Sequence, residues 1–108
     1  MTGEQILVVE DNEKNMKLVR DVLVATGFRT LEATTAGEAI DMADEHTPDL
    51  VLMDIQLPDL DGVQALYRLR ANTRTAAIPV LALTAQAMRG DRERFLAEGF
   101  DGYVSKPV

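Results

Sequence analysis

Apolar residues along the chain fall into two kinds of pattern that alternate. Three short runs, Ile6-Leu7-Val8-Val9, Leu50-Val51-Leu52-Met53 and Val80-Leu81-Ala82-Leu83, contain no polar residue. Each is too short for a stable helix and reads as a strand covered on both faces, as in a parallel sheet. Two weaker strands are predicted over Arg29–Ala33 and Gly102–Ser105, the first alternating in polarity as an edge strand does.

Between the strands, apolar positions recur at steps of three and four. After Asn12, the residues Met16, Val19, Val22 and Leu23 form a helical stripe, and Gly27 is placed to end it. Thr35 and Glu38 form a capping box that opens a second helix, with Ala39, Ile40 and Ala43 inward and Pro48 as the stop. Asp61 caps a third helix striped by Val63, Leu66 and Leu69, and a fourth carries Met88, Phe95 and Leu96 and closes at Gly99. A strand-helix unit repeated four times and followed by a fifth strand implies an α/β fold: a doubly wound, five-stranded parallel sheet with right-handed crossovers. Those crossovers put the second, third and fourth helices on one face and the first helix on the other. No repeat, low-complexity stretch or linker interrupts the pattern, so residues 1–108 read as one domain.

The composition narrows the function. A formal charge of −7 argues against nucleic acid as a partner, because phosphate binding rests on clustered Lys and Arg. The absence of cysteine excludes disulfides, thiolate catalysis and cysteine-ligated metals. The opening Met-Thr-Gly-Glu-Gln lacks the basic and apolar regions of a signal peptide, and no apolar run approaches membrane-spanning length. A cytoplasmic protein without membrane attachment is the expectation.

Candidate chemistry collects at the strand ends. The first strand runs into Glu10-Asp11, the third into Asp54, the fourth into Thr84 and the fifth into Lys106. In open α/β sheets ligands bind beyond the carboxyl ends of strands, where the strand order reverses, so residues far apart in sequence meet on one edge. Three carboxylates in close proximity repel one another, and a hard dication is the simplest way to keep them ionised. Magnesium suits one or two carboxylates together with waters and a substrate phosphate. Asp54, ionised at neutral pH, can attack phosphorus as a nucleophile. The Lys106 ammonium and the Thr84 hydroxyl suit the oxygens of a transferring phosphoryl group.

The segments Val9-Glu10-Asp11-Asn12, Leu52-Met53-Asp54-Ile55-Gln56-Leu57-Pro58, Asp61-Gly62, Leu83-Thr84-Ala85 and Lys106-Pro107 occur in one order across nearly the whole chain. Together they resemble the signature of bacterial two-component response regulator receiver domains. Asp11 to Leu18, with Met88-Arg89-Gly90-Asp91, is most similar to a stand-alone receiver type and to receivers of hybrid histidine kinases. The resemblance implies the flavodoxin-like strand order 2-1-3-4-5 and a phosphorylation-controlled signalling switch rather than an enzyme, although it assists its own phosphorylation and dephosphorylation. It also implies that Asp54 is the phosphoacceptor, and that Asp11, Asp54 and the backbone carbonyl of Gln56 bind Mg2+ directly. Glu10 would act mostly through a bound water, and Lys106 would pair with the phosphoryl group. Thr84 would move toward that group, and Tyr103 would change rotamer with it to reshape the outer face of the fourth helix and fifth strand. The Lys106-Pro107 bond would be cis, and Gln56 and Gln86 would flank the pocket. The implied partners are a histidine kinase or histidine phosphotransfer protein as phosphodonor and a downstream protein target.

Simpler roles compete at several positions. Turn and cap chemistry explains Asp59 and Asp61, and His46 reads as a surface residue at a helix exit. Other function classes remain in view. The chain could be a receiver excised from a hybrid histidine kinase. An aspartate-nucleophile phosphatase of the haloacid dehalogenase type would need an acid two residues after the nucleophile, where Gln56 stands. A nucleotide or flavin binder would need a glycine-rich cradle where Glu10-Asp11-Asn12 stands. The family pattern also has a fifth helix after Lys106-Pro107, absent before Val108. Beside the first helix the sheet is then expected to be partly bare and apolar, which suggests a trimmed sequence, cover by another chain, or a homodimer through that face.

Overall fold

The computed structural model describes residues 3–55, 57–84 and 91–105, the side chains at positions 91 and 92 excepted. The elements follow the order β1 (Gln5–Val9), α1 (Glu13–Thr26), β2 (Arg29–Ala33), α2 (Ala36–His46), β3 (Leu50–Asp54), α3 (Gly62–Ala71), β4 (Val80–Thr84), α4 (Asp91–Glu98) and β5 (Gly102–Ser105). The strands form one parallel sheet in the order β2-β1-β3-β4-β5, the flavodoxin-like arrangement. Chain direction across the sheet reverses between β1 and β3, so their carboxyl ends open a crevice there.

Alternation within the strands explains their unbroken apolar character. Leu7 and Val9 of β1, Val51 and Met53 of β3, and Val80 and Ala82 of β4 point into the core under α2, α3 and α4, which includes Leu66, Leu69 and Phe95. Ile6, Val8, Leu52 and Leu83 point to the other face and meet Met16 and Val19 of α1. Both faces of the central strands are therefore apolar, and no polar residue fits between their ends.

Helix termini are set by local chemistry. Asn12 Oδ1 accepts from the Asn15 amide at 3.1 Å and Asp61 Oδ1 from the Gln64 amide at 2.9 Å, opening α1 and α3. Gly27, with φ of 104°, ends α1 in the left-handed conformation, and the next amide, of Phe28, reaches back to the Leu23 carbonyl. The capping box of α2 differs from its expected form. Thr35 Oγ1 accepts from the Glu38 amide, but the Glu38 carboxylate accepts from the amide and hydroxyl of Thr34, one residue earlier, both at 2.9 Å.

Two stripe residues depart from expectation. Val22 is 62% exposed and Leu96 43% exposed. Val22 lies on the rim of an open apolar groove of about 310 Å³, whose walls include Leu23, Phe28, Leu50, Leu81 and Val104. Among the described residues α1 is the helix that packs on this face, and the outer edge of its stripe is left bare. Leu96 follows the buried Phe95 by one residue, about 100° around the helix, and so faces away from the sheet.

Candidate functional site

The end of β1 is held by backbone bonding beyond the strand proper. The Glu10 amide donates to the Ala33 carbonyl at 3.0 Å, extending the pairing with β2 by one residue. The Glu10 side chain is fully buried, and its Oε2 accepts from the Asn12 amide at 3.1 Å. Asn12 in turn caps α1, so strand end and helix start form one tight turn that leaves Asp11 exposed at its tip. Asp54 closes β3 and is buried, opposite Leu83 in the register with β4.

These segments bring one carboxylate oxygen each from Glu10, Asp11 and Asp54 within 4.8 Å of one another. Oxygens on opposite sides of one magnesium ion lie about 4 Å apart, so a small inward movement of these side chains would bring the three into one cation shell. The donor chemistry fits as well. Three hard carboxylates, two of them out of water, favour a hard divalent cation over a soft metal.

Two further predicted residues sit on adjoining strands. Thr84 is buried at the end of β4, the neighbour of the Asp54 strand, and pairs with Ser105 of β5. Tyr103, half-buried on β5, turns toward α4 and lies 5.9 Å from the Phe95 ring, centroid to centroid. Lys106 follows Ser105 but lies outside the described residues, as do Gln56, Gln86 and the Lys106-Pro107 bond. His46 is exposed at the end of α2 beside Glu45, as its surface reading expects.

Asp59 has the cap chemistry expected of it, but for a helix that the sequence did not indicate. Its Oδ1 accepts from the Ala36 amide at 2.8 Å and its Oδ2 from the Gly37 amide at 2.9 Å, so it caps a helix that begins 23 residues earlier. Those two amides, foremost that of Ala36, hold the Asp59 carboxyl below the usual carboxylate range. Nothing local in Pro58-Asp59-Leu60 signals a partner so remote. Asp61 keeps its expected role as the α3 cap. Beside the acid cluster runs a groove of about 430 Å³ bordered by Glu10, Asp11, Glu13, Lys17, Arg20 and Thr34. Arg20 is engaged there with Glu32 at 3.1 and 3.2 Å.

Comparison with known proteins places this geometry in context. Residues 6–108 match the response regulator receiver domain family. The polar-differentiation response regulator DivK of Brucella ovis is 47% identical over 105 residues, spanning 97% of this chain and 85% of that protein. Among solved structures, the receiver domain of the sensor histidine kinase PA1611 from Pseudomonas aeruginosa PAO1 superposes with a TM-score of 0.87 at 37% identity. That similarity covers 99% of this chain and 88% of the other, whose active-site cleft holds a coordinated magnesium ion. The N-terminal domain of a response regulator receiver protein from Methanoculleus marisnigri JR1 also gives 0.87, at 31% identity over 96% of this chain and 85% of that one. A match across nearly the whole chain, on a sheet that gathers its acids where the strand order reverses, is more than a shared fold: the chain belongs to the response regulator receiver domain family of two-component signalling.

Proposed function

We propose that Asp54 is the phosphoacceptor of this receiver domain and that Glu10, Asp11 and Asp54 form its magnesium site. The observation that carries this reading is the convergence of the three carboxylate oxygens within 4.8 Å at the switch point of the sheet. Asp11, Asp54 and the Gln56 carbonyl would hold the ion directly, and Glu10 through a water. When bound, magnesium supplies positive charge that keeps the acids ionised and offsets charge on phosphoryl oxygens.

The chain's own groups divide the remaining work. An Asp54 carboxylate oxygen forms the new bond to phosphorus as the bond from phosphorus to the donor's imidazole nitrogen breaks, and that nitrogen keeps the electron pair. Burial of Asp54 limits competition from water for the attack position. The Thr84 hydroxyl donates to a phosphoryl oxygen, and the Lys106 ammonium pairs with another. Thr84 then biases the orientation of Tyr103, whose ring packs on Phe95 of α4, so that phosphorylation shifts the population of α4-β5 surfaces. The donor is a phosphohistidine on a kinase or phosphotransfer protein, and the altered face docks a downstream protein.

Incubation with acetyl phosphate and magnesium, followed by intact-mass measurement, is expected to add one phosphoryl group. Asp54→Asn is expected to abolish the addition, and chelation of magnesium to suppress it. Labelling that persists in Asp54→Asn would move the phosphoacceptor elsewhere.

A further inference from the structure

We infer that Phe95 is a positioning residue for the switch: its ring holds Tyr103 in the resting orientation, which phosphorylation must undo. The inference rests on the reading of Thr84 and Tyr103 as a coupled pair. The strand register puts that pair on one face of the sheet. Ala82 stands opposite Tyr103, and Thr84, two residues beyond Ala82, points to the same side. Ala82 and Tyr103 both pack in the core that contains Phe95 of α4, which identifies the face. Leu83, between Ala82 and Thr84 in sequence, points to the other face, so no side chain of β4 stands between the Tyr103 ring and the Thr84 hydroxyl.

An aromatic contact opposes movement along that path. The centre of the Phe95 ring lies 5.9 Å from that of Tyr103, the planes inclined at 48°, and 6.1 Å from that of Phe100 at 84°. At both separations aromatic pairs attract beyond what burial alone provides. Phe95 and Phe100 are buried, and the Phe100 amide donates to the Phe95 carbonyl at 3.0 Å, so these two rings share one rigid helix end. Asp101 tethers that end to β4 through the Val80 carbonyl and amide, both at 2.8 Å, and to Arg70 at 2.9 Å. The Arg94 guanidinium adds a further contact, 4.8 Å from the centre of the Phe95 ring. Tyr103 is the half-buried member of the three and therefore the ring with room to turn. Turning toward Thr84 draws it off Phe95, so the strength of the ring pair sets how rarely it turns unprompted. That strength corresponds to about 2- to 10-fold in the ratio of turned to resting molecules. A ligand that needs the turned state binds more tightly by the same factor once the pair is gone.

The test compares wild type, Phe95→Leu, Tyr103→Leu and the double variant. Leucine keeps most of the core filled while removing the ring; if that variant does not fold by circular dichroism, Phe95→Met replaces it. Without ligand, nuclear Overhauser contacts between the Tyr103 ring protons and the Thr84 methyl group are expected to strengthen in Phe95→Leu. Beryllium trifluoride with saturating magnesium, a mimic of a phosphoryl group on a carboxylate, should strengthen the same contacts in wild type. Its apparent Kd should be about 2- to 10-fold lower in Phe95→Leu than in wild type. The double variant should match Tyr103→Leu, because the effect of Phe95 passes through the tyrosine. A merely structural defect would weaken binding, and would do so with or without Tyr103. Contacts to Thr84 that do not strengthen in Phe95→Leu, or an affinity unchanged or lowered there, would overturn the inference. Contacts that strengthen in Phe95→Leu but do not respond to beryllium trifluoride in wild type would uphold the hold of Phe95 on the ring and sink the Thr84-Tyr103 coupling instead.

Discussion

At position 62 the missing side chain has a steric role. A Cβ built there would stand 2.7 Å from the Asp54 carbonyl oxygen and 2.8 Å from the Ile55 Cα, both backbone atoms of the segment that bears the central acid. Neither can yield as the tip of a flexible side chain could, so α3 and the end of β3 must separate to admit a methyl group. The Asp61-Gly62 pair therefore joins two requirements, a cap for α3 and a bare Cα where the helix start leans on the strand. Gly62→Ala is expected to lose about 1–3 kcal/mol of stability, the usual range for overpacking. Its phosphoryl uptake should fall further than that loss explains, because the displaced atoms belong to the backbone of Asp54 and of Ile55 beside it. Urea unfolding combined with time-resolved intact-mass measurement checks both effects, and wild-type behaviour in both would exclude the contact as a constraint.

Helix α2 shows how one element can be started by several residues. Thr35 accepts from the Glu38 amide, Glu38 closes on Thr34, and Asp59 covers the Ala36 and Gly37 amides. The Thr34 amide, followed by its hydroxyl, holds the Glu38 carboxyl below its usual range, as the Ala36 and Gly37 amides do for Asp59. Both groups bind protons less readily folded than unfolded, so their contribution is complete above the usual carboxylate range and is lost as pH falls through their depressed folded values. Between about pH 5 and pH 2.5 the thermal midpoint of wild type should therefore fall more steeply than that of Glu38→Gln/Asp59→Asn, the two curves converging in acid. Parallel curves by circular dichroism would deny both carboxylates this role. The elements themselves were legible in the sequence: the runs at Ile6, Leu50 and Val80 are strands, and Asn12, Thr35 and Asp61 are caps, because period and capping are local properties. The exposure of Val22 and the reach of Asp59 were not, since each depends on what another element does or fails to cover. The same holds for Arg70, which donates to the Ala76 and Ile78 carbonyls and pairs with Asp101 at 2.9 Å. The positions of Glu10, Asp11, Asp54 and Thr84 were legible, since their places at strand ends follow from topology alone.

Across the whole molecule the acid cluster adds to an already negative field, with a net charge of −7. Folding carries Glu10 and Asp54 out of water and draws Asp11 toward them, an arrangement that a separated, solvated chain avoids. With the proposed magnesium site, folding and cation binding are linked, and a dication that binds only the native state raises stability by mass action. At a hundredfold excess over its Kd, magnesium is expected to stabilise the chain by about 2.7 kcal/mol. The thermal midpoint should rise by about 4–8 °C for each kcal/mol in a domain of this size. Potassium chloride at matched ionic strength should give far less, since screening relieves repulsion only weakly between groups in contact. Neutralising one acid separates the two contributions. Asp54→Asn and Asp11→Asn should each melt above wild type when magnesium is chelated, because one repulsive charge is gone, and should gain little when magnesium is restored. Differential scanning calorimetry across the chelated, potassium and magnesium conditions measures all three effects. A wild-type midpoint indifferent to magnesium, with both variants melting below it under chelation, would mean that the three oxygens meet without sharing a cation.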